Sequence, residues 1–190
     1  MHLLSLLPAT LLTALLAACQ PAPPGCARLP GEGSYCLQNA AGPTFSTLQQ
    51  SILTAGKHRL TLLTRIENDG RGLRFAGMTP LGQTLLAVSW ENGVLQAELP
   101  SALASRLDPA LLPALLQIAL WPASEVRAGL SPELELIEEA QRRRLRRKDS
   151  GDDILDISWE GNLPYQRLRI VAPAGFAIDA RAIEEAGSDE

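Results

Sequence analysis

Aromatic, cysteine and histidine residues are all scarce in this 190-residue sequence, and each shortage narrows what the chain does. Aromatics make up 4% of it, so the interior has to be built from Leu, Ile, Val and Ala. With three cysteines and two histidines, no His/Cys/Asp cluster has the spacing of a zinc site. No Gly-x-Ser-x-Gly elbow occurs, and no glycine-rich loop leads from a strand into a helix. Asp152, Asp153 and Asp156 read better as turn and surface residues than as a catalytic acidic pair. These absences predict a protein that is not an enzyme and needs neither cofactor nor metal. The net charge of −4 and pI near 5.3 offer no basis for nucleic-acid binding. The first residues, Met1-His2, also lack the Lys or Arg that usually opens an export signal.

What is present at the N-terminus nevertheless points to export. An uncharged apolar run from Leu3 to Ala18 is shorter than the ~20 residues of a transmembrane helix but suits a signal-peptide core. Small residues Ala17 and Ala18 precede Cys19, the arrangement of a bacterial lipoprotein signal cut before a lipid-bearing cysteine. Residues 1–18 are therefore expected to be removed and Cys19 to anchor the chain in membrane lipid. Two or more acyl chains hold stably, each buried CH₂ contributing ~0.8 kcal/mol. Once Cys19 is assigned, Cys26 and Cys36 remain as a pair in an oxidising compartment, and a disulfide is expected between them. Residues 19–44, dense in Pro and Gly at the start, read as anchor and tether.

Residues 45–183 read as one domain, followed by an acidic tail at 184–190. The spacing of Phe45, Leu48 and Ile52 allows a short helix or a first strand. From Lys57 the period is two: Leu60, Leu62, Thr64 and Ile66 alternate with polar residues, then Leu73 and Phe75, then Leu86, Val88 and Trp90, then Leu95, Ala97 and Leu99. Asn68-Asp69-Gly70 and Asn92-Gly93 supply the reversals, so four antiparallel strands are expected in chain order. Asp108-Pro109 starts a helix that is apolar nearly all round, carrying Leu111, Leu112, Leu115, Leu116, Ile118 and Leu120 up to Trp121-Pro122. A second short helix is expected over 123–128. Residues 131–149 fit a helix with Glu138–Arg142 and Glu139–Arg143 pairs, or a strand with Leu134 and Leu136 on one face. The basic run Arg142–Lys148 reads as a solvated element end or as a surface for anionic headgroups. Leu155, Ile157, Trp159, Leu168, Ile170, Phe176 and Ile178 return to the β pattern.

The segment Leu73-Arg74-Phe75-Ala76-Gly77-Met78-Thr79-Pro80-Leu81-Gly82-Gln83-Thr84-Leu85-Leu86 resembles the strand–Pro-Leu-Gly–strand region of LolB, the outer-membrane lipoprotein receptor. The leucine-rich helix and Asn162-Leu163-Pro164 to Ile170 are similar in position, and the chain also resembles LolB-like lipoproteins encoded with aryl-polyene and fatty-acid-type biosynthesis genes. The resemblance implies an α+β, mainly β fold: a half-open antiparallel β-barrel under a helical lid, LolA/LolB-like, with an apolar cavity. Its expected wall is Leu60, Leu62, Leu73, Phe75, Leu86, Val88, Trp90, Leu115, Ile118 and Trp121, with Leu81 on a membrane-insertion loop. It further implies an outer-membrane lipoprotein facing the periplasm that holds acyl chains or a lipidated protein, with a periplasmic carrier protein as partner. Two other readings stay open: an assembly lipoprotein with a filled core that docks a protein partner, and a lipid-acting hydrolase.

Overall fold

The computed structural model describes residues 25–39, 42–104 and 107–183. The expected signal peptide, Cys19 and the acidic tail lie outside the described residues. The elements in order are β1 (Cys26–Arg28), β2 (Ser34–Cys36), β3 (Phe45–Ala55), β4 (His58–Asn68), β5 (Gly72–Met78), β6 (Thr84–Glu91) and β7 (Val94–Glu98). Helices α1 (Ser101–Ala104), α2 (Leu111–Leu120) and α3 (Ala123–Gly129) follow. Then come β8 (Leu134–Glu139), β9 (Arg142–Arg147), β10 (Asp153–Glu160), β11 (Arg167–Ala172) and β12 (Phe176–Ala182).

Ten strands form one antiparallel sheet in the order β7-β6-β5-β4-β3-β12-β11-β10-β9-β8. It is two meanders, β3–β7 and β8–β12, joined where the last strand pairs with β3 from Phe176↔Ala55 to Ala182↔Gln49. Register shifts at Gly77/Met78 and Asp153/Leu155 mark irregularities that bend strands. Inward side chains of both meanders join α2 in one core: Leu62, Ile66, Leu73, Phe75, Leu86 and Val88 from the first, Leu145, Leu155, Ile157, Leu168 and Ile170 from the second. The sheet therefore surrounds the helix.

The antiparallel β architecture with helices agrees with the sequence pattern, but the sheet does not close into a barrel. Its edges β7 and β8 are not paired with each other. Two ambiguous segments resolve as strands. In β3 the fully buried positions are Gln49 and Ser51, so hydrophobic alternation is missing where it would have announced a strand. Residues 131–149 form the β8–β9 hairpin, with Leu134 against Arg147 and Leu136 against Leu145. Burial of Leu136 and Leu145 inside the sheet outweighs the i,i+4 charge pairs that would have favoured a helix.

The tether expected over 19–44 needs correction, because residues 25–38 belong to the folded body. Strands β1 and β2 pair from Cys26↔Cys36 to Arg28↔Ser34, and a disulfide joins the two cysteines. Ala27 and Tyr35 are fully buried. The hairpin bridges the two halves of the sheet. Gly25, at φ +90°, lies against the Trp90 ring on β6, where an added Cβ would fall 2.6 Å from a ring carbon. On the other side Ser34 N–H donates to Ser131 Oγ, and Ser131 N–H to the Ser34 carbonyl. Apolar contacts that the Pro/Gly-rich sequence hides make this segment part of the core.

Candidate functional site

The site grows from helix α2. The helix begins at Leu111 with Ala110 at the cap position, two residues later than the Asp-Pro start predicts, and Asp108 Oδ1 accepts the Ala110 N–H at 2.9 Å in the turn before it. From Leu112 to Leu120 every residue is buried. A helix without a polar face is stable only where protein or lipid covers it all round.

Polar contacts hold α2 at its C-terminal end. Gln117, the one polar residue in the helix, receives Tyr35 Oη–H at 3.1 Å and Gln38 N–H at 2.8 Å on Oε1. Its Nε2 donates to the Gln38 carbonyl at 3.0 Å, which also accepts Trp90 Nε1–H. Burial pushes the Tyr35 phenol far above its ordinary value, keeping its proton on as a donor. One turn on, Arg143 Nη1 donates to the carbonyls of Ile118, Ala119 and Trp121 at 2.9, 3.3 and 2.7 Å. These are last-turn carbonyls that no helical N–H reaches, and a cation suits that end of the dipole. Glu138 accepts from Arg143 Nε at 3.0 Å, and Trp159, itself stacked on Tyr165 at 5.1 Å, lies 5.8 Å from the guanidinium.

The N-terminal half of α2 is held differently. Among the described residues, no hydrogen bond from the sheet reaches residues 111–116. Leu112, Leu115 and Leu116 instead cover an interior cavity of about 20 Å³, opposite Ile66, Phe75, Leu168, Ile170, Ile178 and Ala180. That volume admits a group the size of one water, far below the ~300 Å³ of ordinary ligand pockets.

The expected wall residues separate into three groups. Phe75 and Leu115 line the cavity. Leu62, Leu73, Leu86, Val88, Trp90, Ile118 and Trp121 are brought together around α2 but are 1–7% exposed, or 0% for Ile118, and pack as core. Trp121 leaves so little room that a Cβ on Gly42 would fall 2.1 Å from its ring. Leu60 departs from the expectation: it is 36% exposed and sits at a rim, paired across the β3–β4 hairpin with Leu53. Leu81 lies at the tip of the β5–β6 turn and is 88% exposed. The turn is ordered by Gly82 N–H to the Thr79 carbonyl and Thr79 N–H to the Gln83 carbonyl, both 2.9 Å.

Residues the sequence reading missed are the fasteners: Tyr35, Gln38, Gln117 and Arg143. A lone Gln in an apolar helix was a legible signal for one of them. Arg143 was masked by its neighbours, since five of the seven residues from Arg142 to Lys148 besides it are basic. Those neighbours are paired. Arg142 bonds Asp156, Arg144 bonds Glu139 and Asp153, Arg146 bonds Asp153, and Arg147 bonds Asp149 and Glu32. The run is thus an interstrand charge ladder, which also accounts for Asp153 and Asp156. Among the described residues no group of three His, Cys, Asp or Glu could hold a metal, and no helix is long and apolar enough to cross a membrane.

Fold and site together define a mainly β protein whose single antiparallel sheet wraps an apolar helix pinned at one end. The chain belongs to the family described as "Protein of unknown function (DUF3261)", whose profile matches residues 46–171. Among solved structures, it is similar to a LolA superfamily protein from Nitrosomonas europaea at 11% identity, covering 75% of this chain and 86% of that one. The TM-score is 0.37. No curated protein matches the sequence.

Proposed function

We infer that the protein is a lipid-anchored periplasmic binding protein that takes acyl chains of its cargo between α2 and the sheet. The observation that carries this reading is the asymmetry of the helix: polar fasteners at Gln117 and Arg143, and apolar contact alone over the cavity at Leu112, Leu115 and Leu116. Apolar surfaces part without breaking hydrogen bonds and re-form on a hydrocarbon chain. Movement of the N-terminal half about the pinned end enlarges the cavity along the inner face, which the Leu62, Phe75 and Val88 side chains then offer to ligand.

On this reading the unpaired β7 and β8 edges flank the open side of a half-open barrel. Cys19 carries the lipid that fixes the protein in the outer membrane, and Leu81 inserts into the bilayer surface. The cargo is a lipoprotein or a polyene-type lipid, received from a periplasmic carrier, as the LolB resemblance implies. No covalent chemistry is involved, and affinity comes from burying hydrocarbon at ~25 cal/mol per Å².

A second reading has its own observation: an interior with room for one water-sized group suits a filled module that docks a protein partner. Titration with a fluorescent fatty acid separates the two. Acyl binding predicts saturable fluorescence in the wild type and roughly tenfold weaker binding in Ala180→Leu, whose added methyl groups plug the cavity. A wild-type protein that takes up no fatty acid sinks the acyl reading and leaves the docking module.

A further inference from the structure

The wall of the cavity beneath α2 is mostly hydrocarbon, with polar atoms confined to β3. Gln49 and Ser51 point inward from that strand and line the space. Ser51 is satisfied, its Oγ lying 2.7 Å from Thr64 Oγ1, which in turn donates to the Gln49 main-chain carbonyl at 3.3 Å. Gln49 is not. It is 1% exposed, and among the described residues its Oε1 has no hydrogen-bond partner.

An amide oxygen buried without a donor is destabilising, and a plain alkyl chain laid against it leaves it unsatisfied. A hydroxyl on the chain removes the penalty, and because an alcohol both donates and accepts it pairs with either end of the amide. We propose that the cavity selects acyl chains bearing a hydroxyl group, which donates to Gln49 Oε1. The inference rests on the acyl-binding reading above and names the class of chain taken.

The position of Gln49 also sets where the hydroxyl lies. Leu53, paired with half-exposed Leu60, marks the rim, and Gln49 is four residues further along the same face. At strand spacing that is a depth of about 13 Å. With the headgroup at the rim, the matching hydroxyl is mid-chain rather than next to the carboxylate.

The test is displacement of a fluorescent fatty acid from the full chain by stearate, by stearate hydroxylated mid-chain, and by stearate hydroxylated beside the carboxylate. The mid-chain alcohol is expected to bind about tenfold more tightly than stearate, the factor one charge-free hydrogen bond supplies. Gln49→Leu, checked for folding by circular dichroism, brings that ratio to about one. If this variant does not fold, the wild-type ratio decides alone. Equal affinity for stearate and the mid-chain alcohol overturns the selection and leaves acyl binding standing. A preference kept by folded Gln49→Leu, or an equal gain with the hydroxyl beside the carboxylate, overturns the assignment to Gln49. A full chain that shows no saturable binding of the fluorescent fatty acid overturns both readings.

Discussion

Replacing Arg143 by Met tests whether α2 is pinned at one end. The substitution keeps an unbranched apolar stem but removes the donor to three helix carbonyls and the partner of Glu138. Each buried carbonyl left without a donor costs ~1 kcal/mol or more. Three such carbonyls put the total at about 3 kcal/mol, because Glu138 is 37% exposed and the loss of its partner adds little. For a domain of this size 1 kcal/mol is ~2–4 °C, so Tm should fall by roughly 6–12 °C in a thermal melt. Amides of residues 117–121 should lose hydrogen-exchange protection before those of β11 and β12. Arg143→Lys should restore little, since a single ammonium cannot present the planar fork that spans these carbonyls. An Arg143→Met protein that melts within ~2 °C of wild type, with helix exchange unchanged, would refute the pinning.

Other expectations follow from single features. Reducing the Cys26–Cys36 disulfide reopens a ten-residue closure and should lower stability by ~2.7 kcal/mol, read by denaturation with and without reductant. Leu81→Asp should leave Tm unchanged, because the side chain is 88% exposed, while weakening association with lipid vesicles in a flotation assay. Asp69 accepts from the Arg71 N–H and from the Arg74 guanidinium, which lower its pKa from 3.8 to about 2. A carboxylate with a depressed folded pKa stabilises above its unfolded value and loses that contribution as pH falls toward the folded one. Wild type should therefore lose more stability than Asp69→Asn between about pH 4 and pH 2, seen by melts across that range.

The long strands were legible because one face is apolar and the other charged, as in Leu62, Thr64 and Ile66 against Arg65 and Glu67. Helix α2 was legible for the opposite reason, having almost no polar residue to interrupt it. Legibility failed where a buried position is polar. Gln49 and Ser51 concealed β3, and buried Arg143 looked like its exposed neighbours. A sequence records side-chain chemistry but not which carbonyl or hydroxyl meets it across the fold.

Composition and periodicity determined by themselves the antiparallel β character, the single apolar helix and the two cysteines left to pair. These depend on local spacing, and burial rewards local spacing wherever the elements end up. Tertiary structure alone decided that β12 joins the two meanders and that residues 25–38 bridge the halves of the sheet. It also decided that the space beneath α2 is about 20 Å³, lined by the Gln49 amide oxygen that no group among the described residues satisfies. Each of these depends on contacts between residues far apart in the chain, and no pattern of neighbours fixes how closely such surfaces meet.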